Sequence, residues 1–392
     1  MTRFPHIALF VLLAIAGVLS HAVVAFASDD AGSLLILGGR VVDGERDAAD
    51  DAAPRPAPVA TSKPPRRAQR TIFGSTRRIM AIAMRAGTDQ ARIVRVAWAS
   101  TPARPSRPWY RAGVRRSITY VSRPSGDLQL DVWYPRGRTT AAPTIMLVHG
   151  GGWRAGGREE WDRIGWTRQL VHRGYVVVTP SYRMSCEPDG LSGAAALRTD
   201  RRLCGFSIAE SVVDVRRALG WARHNIDGQG GDRDNVVLVG ASAGGHLALM
   251  AGADRGAFVR GVAAISPATD LSWFGKRPRS VLYGPARQAV GCPLRRCPAE
   301  WRSYSPSTVA SSARMWPATY VYAADDDRVT PSAQNEPFLL ALGDRGADVT
   351  LRHPIRTGRQ CHGTYSCSQW PVAGTGRSLL DDVDAWVLTR LA

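Results

Sequence analysis

The chain has 392 residues, of which 44% are hydrophobic, and this is enough for a large core. Its net charge of +18 is unevenly distributed, since residues 52–116 hold fifteen Lys or Arg and one acidic residue, Asp89. Surfaces that bind nucleic acids combine basic side chains with aromatic ones. Aromatic side chains are sparse in this segment until Trp109 and Tyr110. The composition therefore argues against a nucleic-acid partner and is typical of a solvated basic segment.

The N-terminus has the features of a secretory signal peptide. Arg3 precedes an apolar run at 7–19, and Ala25-Phe-Ala27 resembles a small-residue cleavage site. The alternative is an uncleaved membrane anchor, but Ser20 and His21 interrupt the apolar stretch. The sequence thus predicts a protein that is secreted or held in the cell envelope.

Composition divides the rest of the chain in two. We predict a signal peptide at 1–27, a basic low-order linker at 28–115 and one compact domain at 116–392. Apolar islands at 79–84 and 93–98 are the exceptions within the linker. In an exported protein, the linker would allow weak contact with an anionic envelope surface.

Six cysteines fit an oxidising destination: Cys186, Cys204, Cys292, Cys297, Cys361 and Cys367. Pairing of nearest neighbours would close three short loops. We predict a Cys361–Cys367 bond, with pairing of either cysteine to Cys292 or Cys297 as the alternative. No Cys/His cluster has the spacing of a zinc site, so we predict no metal.

From residue 117 onward, strand and helix patterns alternate, which predicts an α/β fold with a mostly parallel sheet covered on both faces. The predicted strands are 118–121 and 128–134, which form an antiparallel hairpin, then 144–148, 175–179, 236–239, 259–265, 319–323 and 349–352. The predicted helices are 159–172, 208–225, 243–251, 334–342 and 379–391. Two small insertions, 186–204 and 273–302, interrupt the alternation.

The strongest chemical signal is Gly240-Ala-Ser-Ala-Gly244, between a predicted strand and an apolar helix. This G-x-S-x-G pattern is typical of a nucleophile elbow, in which small residues let the strand and the helix approach closely. The turn would expose the hydroxyl of Ser242 above the sheet. We predict Ser242 as the nucleophile of acyl transfer.

A second signal, His149-Gly-Gly-Gly-Trp153, directly follows a buried strand. Acyl transfer places negative charge on a carbonyl oxygen, which rigid backbone N–H groups stabilise. We assign this oxyanion hole to the amides of Gly151, Gly152 and Ala243. His149 is expected to hold the loop rather than to react, and His246 is expected to be structural too.

Together these two motifs resemble the esterase/lipase branch of the α/β hydrolases, which includes hormone-sensitive-lipase-like and feruloyl- or acetylxylan-esterase-like enzymes. Tyr182-Arg183 and the stretch beginning at Asp214 also match, and the resemblance extends over 117–392. It implies a single α/β-hydrolase domain and the chain order Ser, acid, His. The chain departs from the family at Ala323-Ala324, where His-Gly is usual, and in its cysteine-bearing insertions.

That order requires a histidine after the last strand, and His353 and His362 are the candidates. His353 ends a strand, whereas His362 lies in a Gly-flanked loop that is free to reach the sheet edge. We predict His362 as the general base, with a structural role for His353.

The acid follows the 319–323 strand, where Asp325, Asp326 and Asp327 are consecutive. Asp327 keeps the spacing of the esterases on both sides, and Asp326 keeps that of a prolyl-oligopeptidase-like loop. We predict Asp327, with Asp326 as the alternate, to orient the imidazole of His362.

These residues predict a cofactor-free serine hydrolase acting on small-molecule or polymer-linked carboxylic esters. The alternatives are a serine peptidase of prolyl-oligopeptidase type, an envelope acyltransferase, and a non-catalytic binding protein on a hydrolase scaffold.

Overall fold

The computed structural model describes residues 22–28, 34–40, 77–85, 91–99, 110–124, 126–355, 361–367 and 370–391. Contacts between residues divide the chain into two units, Met1–Ser100 and Thr101–Ala392.

The first unit contains two antiparallel strand pairs. They are β1 (Ala22–Ser28) with β2 (Leu34–Arg40), and β3 (Arg77–Arg85) with β4 (Ala91–Ala99). The two apolar islands noted at 79–84 and 93–98 lie in β3 and β4. The apolar run at 7–19 lies outside the described residues, and the signal peptide stays a prediction. None of the helices in the described part of the chain is long and apolar enough to cross a membrane.

The second unit is built on an eight-stranded sheet in the order β12-β11-β10-β9-β7-β8-β6-β5. Its strands are β5 (Arg111–Val121), β6 (Leu128–Arg136), β7 (Ala142–Val148), β8 (Val176–Pro180), β9 (Gly231–Ala241), β10 (Val259–Ile265), β11 (Thr319–Tyr322) and β12 (Val349–Arg352). Strands β5 and β6 pair antiparallel, as does β6 with β8, and every other pairing is parallel. This is the predicted mostly parallel sheet with an antiparallel hairpin at its start.

The described helices cover both faces of this sheet. They are α1 (Glu160–Arg163), α2 (Trp166–His172), α3 (Gly193–Arg198), α4 (Ile208–Asn225), α5 (Ala243–Gly252), α6 (Leu271–Gly275), α7 (Tyr283–Val290), α8 (Pro298–Ser303), α9 (Pro306–Ser312), α10 (Glu336–Asp344), α11 (Gly363–Cys367) and α12 (Leu379–Leu391). The apolar run at 236–239 in β9 faces both layers of the core. Val236 and Leu238 belong to the apolar cluster on one face, and Val237 and Val239 to the cluster on the other.

Several details differ from the predictions, and α3 and α6 to α9 are helices that were not predicted. Strand β5 begins at Arg111, five residues before the predicted domain boundary at 116. The helix predicted at 159–172 is broken into α1 and α2, because Gly165 adopts a φ of +78° that glycine tolerates. A 3₁₀ turn at Ser332–Asn335 replaces the start of the helix predicted at 334, and α11 was not predicted at all.

Candidate active site

Ser242 occupies a tight turn between β9 and α5. Its φ of +54° is uncommon for a residue with a side chain, and its backbone N–H donates to Ile265 O at 2.8 Å. The flanking glycines are required by space. A Cβ on Gly240 would lie 2.2 Å from Gly244 O, and one on Gly244 would lie 2.2 Å from Val148 O. The two glycines of the G-x-S-x-G pattern are therefore required by close packing of the turn on itself and on β7.

The histidine predicted as base lies beside this serine. His362 Nε2 is 3.0 Å from Ser242 Oγ, although the two residues are 120 positions apart in the chain. Its backbone is held at both polar groups by Ser366, whose Oγ accepts from His362 N at 2.6 Å and donates to His362 O at 2.7 Å. His362 thus lies in a loop position immediately before a short helix, α11.

Asp327 lies on the other side of the imidazole. Its Oδ2 and Oδ1 atoms are 2.8 and 3.1 Å from His362 Nδ1, so Nδ1–H donates and Nε2 is left to accept from Ser242. Asp327 is buried, whereas Asp325 and Asp326 are exposed, and Ser332 Oγ donates to Asp325. The structure therefore brings Asp327, and not Asp326, to the histidine.

The pKa of the Asp327 carboxyl is lowered from its usual range. Burial by itself would raise this pKa, but the hydrogen bond and charge of His362 and the donors of Thr330 outweigh it. Oδ1 accepts from the backbone N–H groups of Val329 and Thr330, each at 2.8 Å. The carboxylate is therefore stabilised in its ionised form.

Ser266, which the sequence analysis missed, connects the acid and base segments. It directly follows β10 and has a φ of +46°. Its Oγ accepts from Gly363 N at 3.0 Å, its carbonyl oxygen lies 3.1 Å from Thr330 Oγ1, and its N–H donates to Tyr322 O at 2.7 Å. Its place at the carboxyl end of the strand beside β9 was the only signal in the sequence.

The glycine loop after β7 packs directly against the serine turn. A Cβ on Gly150 would lie 2.8 Å from Ala241 O, and Gly151 and Gly152 have φ values of +111° and +61°. Ala243 is the first residue of α5, at the helix end where N–H groups have no partner within the helix. All three predicted donor residues thus lie around Ser242.

The other histidines have structural partners. His149 stacks on Tyr182 with ring centroids 4.1 Å apart, and its carbonyl oxygen accepts from Tyr182 Oη at 2.8 Å. His246 donates to Tyr304 O at 2.7 Å, and burial lowers the pKa of His246 to about 4. His353 Nδ1 lies 2.8 Å from Ala323 O. None of the three contacts the serine hydroxyl, in line with the predicted structural roles.

A second motif that the sequence singled out is also structural. Arg183 forms two hydrogen bonds through its guanidinium with the buried carboxylate of Asp214, at 2.6 and 3.0 Å. Glu210 accepts a third at 2.7 Å. This network fixes α4 to the segment after β8, next to Tyr182.

A cavity of about 370 Å³ opens above Ser242 and His362. Its walls are mostly apolar and come from the glycine loop, from α1 with Trp161 and Ile164, and from α3 with Ala194, Ala195 and Arg198. Leu282, from the predicted insertion at 273–302, also lines it. The predicted insertions therefore shape the cavity.

Three disulfides join Cys186 to Cys204, Cys292 to Cys297 and Cys361 to Cys367. The predicted Cys361–Cys367 bond is present and spans His362 and α11. Such bonds are typical of oxidising compartments.

Comparison with known proteins places this geometry in a family. The BD-FAE family model matches residues 130–342, more than half of the chain. Esterase LipC of Mycobacterium tuberculosis is 34% identical over 139 residues, which are 35% of this chain and 29% of LipC. The probable isoprenylcysteine alpha-carbonyl methylesterase ICMEL1 of Oryza sativa is 24% identical over 288 residues, 64% of this chain and 61% of that protein. The chain spans less than two thirds of the length of these relatives.

Two solved structures share the fold. The native esterase Est2 of Thermogutta terrifontis has a TM-score of 0.50 at 20% identity and covers 71% of this chain and 90% of its own. The same organism's esterase 2 phosphonylated by sarin has a TM-score of 0.52 at 19% identity and covers 71% of this chain and 94% of its own. At this identity the likeness shows the α/β-hydrolase fold alone.

Proposed function

This chain belongs to the BD-FAE family, and from that premise we propose that it is a serine hydrolase that cleaves carboxylic esters. The observation that carries the proposal is the unbroken hydrogen-bonded series from Ser242 through His362 to Asp327, at the base of an apolar cavity. A nucleophile, a base and an orienting acid in hydrogen-bond contact are what acyl transfer requires. The names of the relatives, among them LipC and ICMEL1, support esters as the substrate class.

In the proposed mechanism, His362 Nε2 takes the proton of Ser242 as Oγ attacks the ester carbonyl carbon. The amides of Gly151, Gly152 and Ala243 donate to the oxygen that becomes negative. His362 then protonates the leaving alcohol, and a water attacks the acyl-enzyme in the same way. Asp327 holds the imidazole in the tautomer that accepts at Nε2 and stabilises the imidazolium.

Export is part of the same proposal. Three disulfides in the described residues support an oxidising destination, and the N-terminal sequence supports a signal peptide as the route.

Hydrolysis of p-nitrophenyl esters from acetate to longer acyl chains tests the proposal. We expect turnover by the wild type, and a loss on the order of 10⁶-fold in kcat in Ser242→Ala with an unchanged melting temperature. Ser332→Ala, which removes an exposed hydroxyl bound to Asp325, is the matched control and should keep full turnover. Full activity in Ser242→Ala would end the hypothesis.

A further inference from the structure

Within residues 117–392, the segment 271–299 holds most of the excess positive charge. Residues 117–392 contain 33 Lys or Arg and 25 acidic residues, so most of this region is close to balanced. Residues 271–299 contain six of those bases and no acidic residue. The six are Lys276, Arg277, Arg279, Arg287, Arg295 and Arg296.

All six of these side chains are exposed. None of them forms an ion pair with an acidic side chain among the described residues, although many arginines elsewhere in the unit do. Arg277 is instead stacked over the ring of Trp273, 3.7 Å from its centroid. The charges of the segment are therefore available to a partner outside the chain.

This segment borders the active-site cavity. Leu282 lines the cavity, and a Cβ on Gly152 would lie 3.6 Å from the side chain of Pro285. Helix α7 turns Ala286 and Ala289 into the core, which leaves Arg287 on its outer side. Arg287 thus projects from a helix next to the cavity, and the other five cations lie in the same segment on either side of that helix.

Two exposed aliphatic side chains flank the same cavity. Leu197 is 86% exposed and Val281 is 58% exposed, the highest values among the exposed large hydrophobic residues of the described chain. Each is adjacent in sequence to a residue that lines the cavity, Arg198 and Leu282 respectively. Single exposed apolar side chains are common on protein surfaces, so the significance of these two lies in their position beside the cavity and the cations.

We propose that these eight residues form a docking surface for an anionic lipid layer, which brings esters in that layer to Ser242. The docking surface consists of Leu197, Lys276, Arg277, Arg279, Val281, Arg287, Arg295 and Arg296. Cations attract the anionic headgroups, and aliphatic side chains enter the boundary between headgroups and acyl chains. The delivery of esters rests on the proposed function, whereas docking itself does not.

The two exposed aliphatic side chains, Leu197 and Val281, favour a lipid layer over a soluble anionic polymer as the partner. A polyanion would be bound by the six cations alone and would gain nothing from Leu197 or Val281. A lipid layer uses both kinds of side chain, and the mostly apolar walls of the cavity suit an acyl chain that leaves such a layer.

The test measures binding of the full chain to vesicles of phosphatidylglycerol and phosphatidylcholine by co-sedimentation. In one variant Arg279, Arg287 and Arg295 are all changed to Gln, and in a matched control Arg136, Arg217 and Arg314, exposed cations outside the segment, are changed to Gln. A third variant is Leu197→Ser with Val281→Ser. The bases of residues 52–116 are present in every protein, so their contribution cancels in the comparison.

We expect the segment variant to bind about a hundredfold more weakly, since each cation near an anionic surface is worth about fivefold, while the control changes little. The Leu197/Val281 variant should bind about tenfold more weakly. If the segment variant and the control variant lost the same amount of vesicle binding, the proposed docking surface would be wrong. Wild-type binding by the Leu197/Val281 variant would overturn lipid as the partner and leave a polyanion. Wild-type turnover of soluble p-nitrophenyl butyrate is measured separately, so failure of the proposed function is distinguished from failure of docking.

Discussion

The turn around Ser242 and the segment that carries His362 differ in what fixes their backbones. The serine turn is held by close backbone packing, because a Cβ on Gly240 would lie 2.2 Å from Gly244 O and one on Gly244 would lie 2.2 Å from Val148 O of β7. The histidine segment is held by side-chain groups, the Cys361–Cys367 bond within it and the hydroxyl of Ser266 outside it. A nucleophile held by backbone packing and a base held by side-chain bonds should respond differently to substitution.

The largest effect on the base side is expected from loss of its acid. Asp327→Asn should lower kcat by about 10⁴-fold, by analogy with the serine-protease triad, because an amide does not hold the required tautomer of His362. Asp326→Asn is the matched control, since Asp326 is exposed one residue away. Steady-state kinetics on p-nitrophenyl butyrate checks both, and a crippled Asp326→Asn beside a near-normal Asp327→Asn would reverse the assignment.

Loss of the disulfide beside His362 should have the second-largest effect on turnover. Cys361→Ser with Cys367→Ser should lower kcat by about 10²-fold with little change in KM, because a misplacement of about 1 Å in a catalytic group costs that much. Cys292→Ser with Cys297→Ser, which removes the bond within 292–297, provides the comparison and should keep kcat. If both double variants lost kcat alike, the bond would act through general stability and not through His362.

Ser266 should have the smallest of these effects and the most specific one. Ser266→Ala removes the acceptor for Gly363 N, and we expect kcat to fall about tenfold with KM unchanged. Ser266→Gly also lacks the hydroxyl but tolerates the φ of +46°, so it should show the same loss in kcat without added backbone strain. Wild-type kcat in the Gly variant would show that the hydroxyl does not position the base.

The same contrast explains which parts of the fold and of the site could be predicted from the sequence. The sheet, the serine turn and the glycine loop were predicted because each depends on residues close together in the chain, such as the apolar run of β9 and the glycines around Ser242. Ser266 and Ser366 were missed because an isolated serine carries no local signal, and their contacts with the His362 segment arise only on folding. The break at Gly165 between α1 and α2 was missed because a single glycine is also tolerated within helices.

The most direct test of the central claim is covalent labelling by a serine-directed phosphonate, followed by peptide mapping. We expect one adduct, on the peptide that contains Ser242. The wild type should form it, and Asp327→Asn should form it much more slowly, because activation of this hydroxyl depends on the oriented His362. An adduct on a different serine, or equal labelling rates in the wild type and Asp327→Asn, would contradict it.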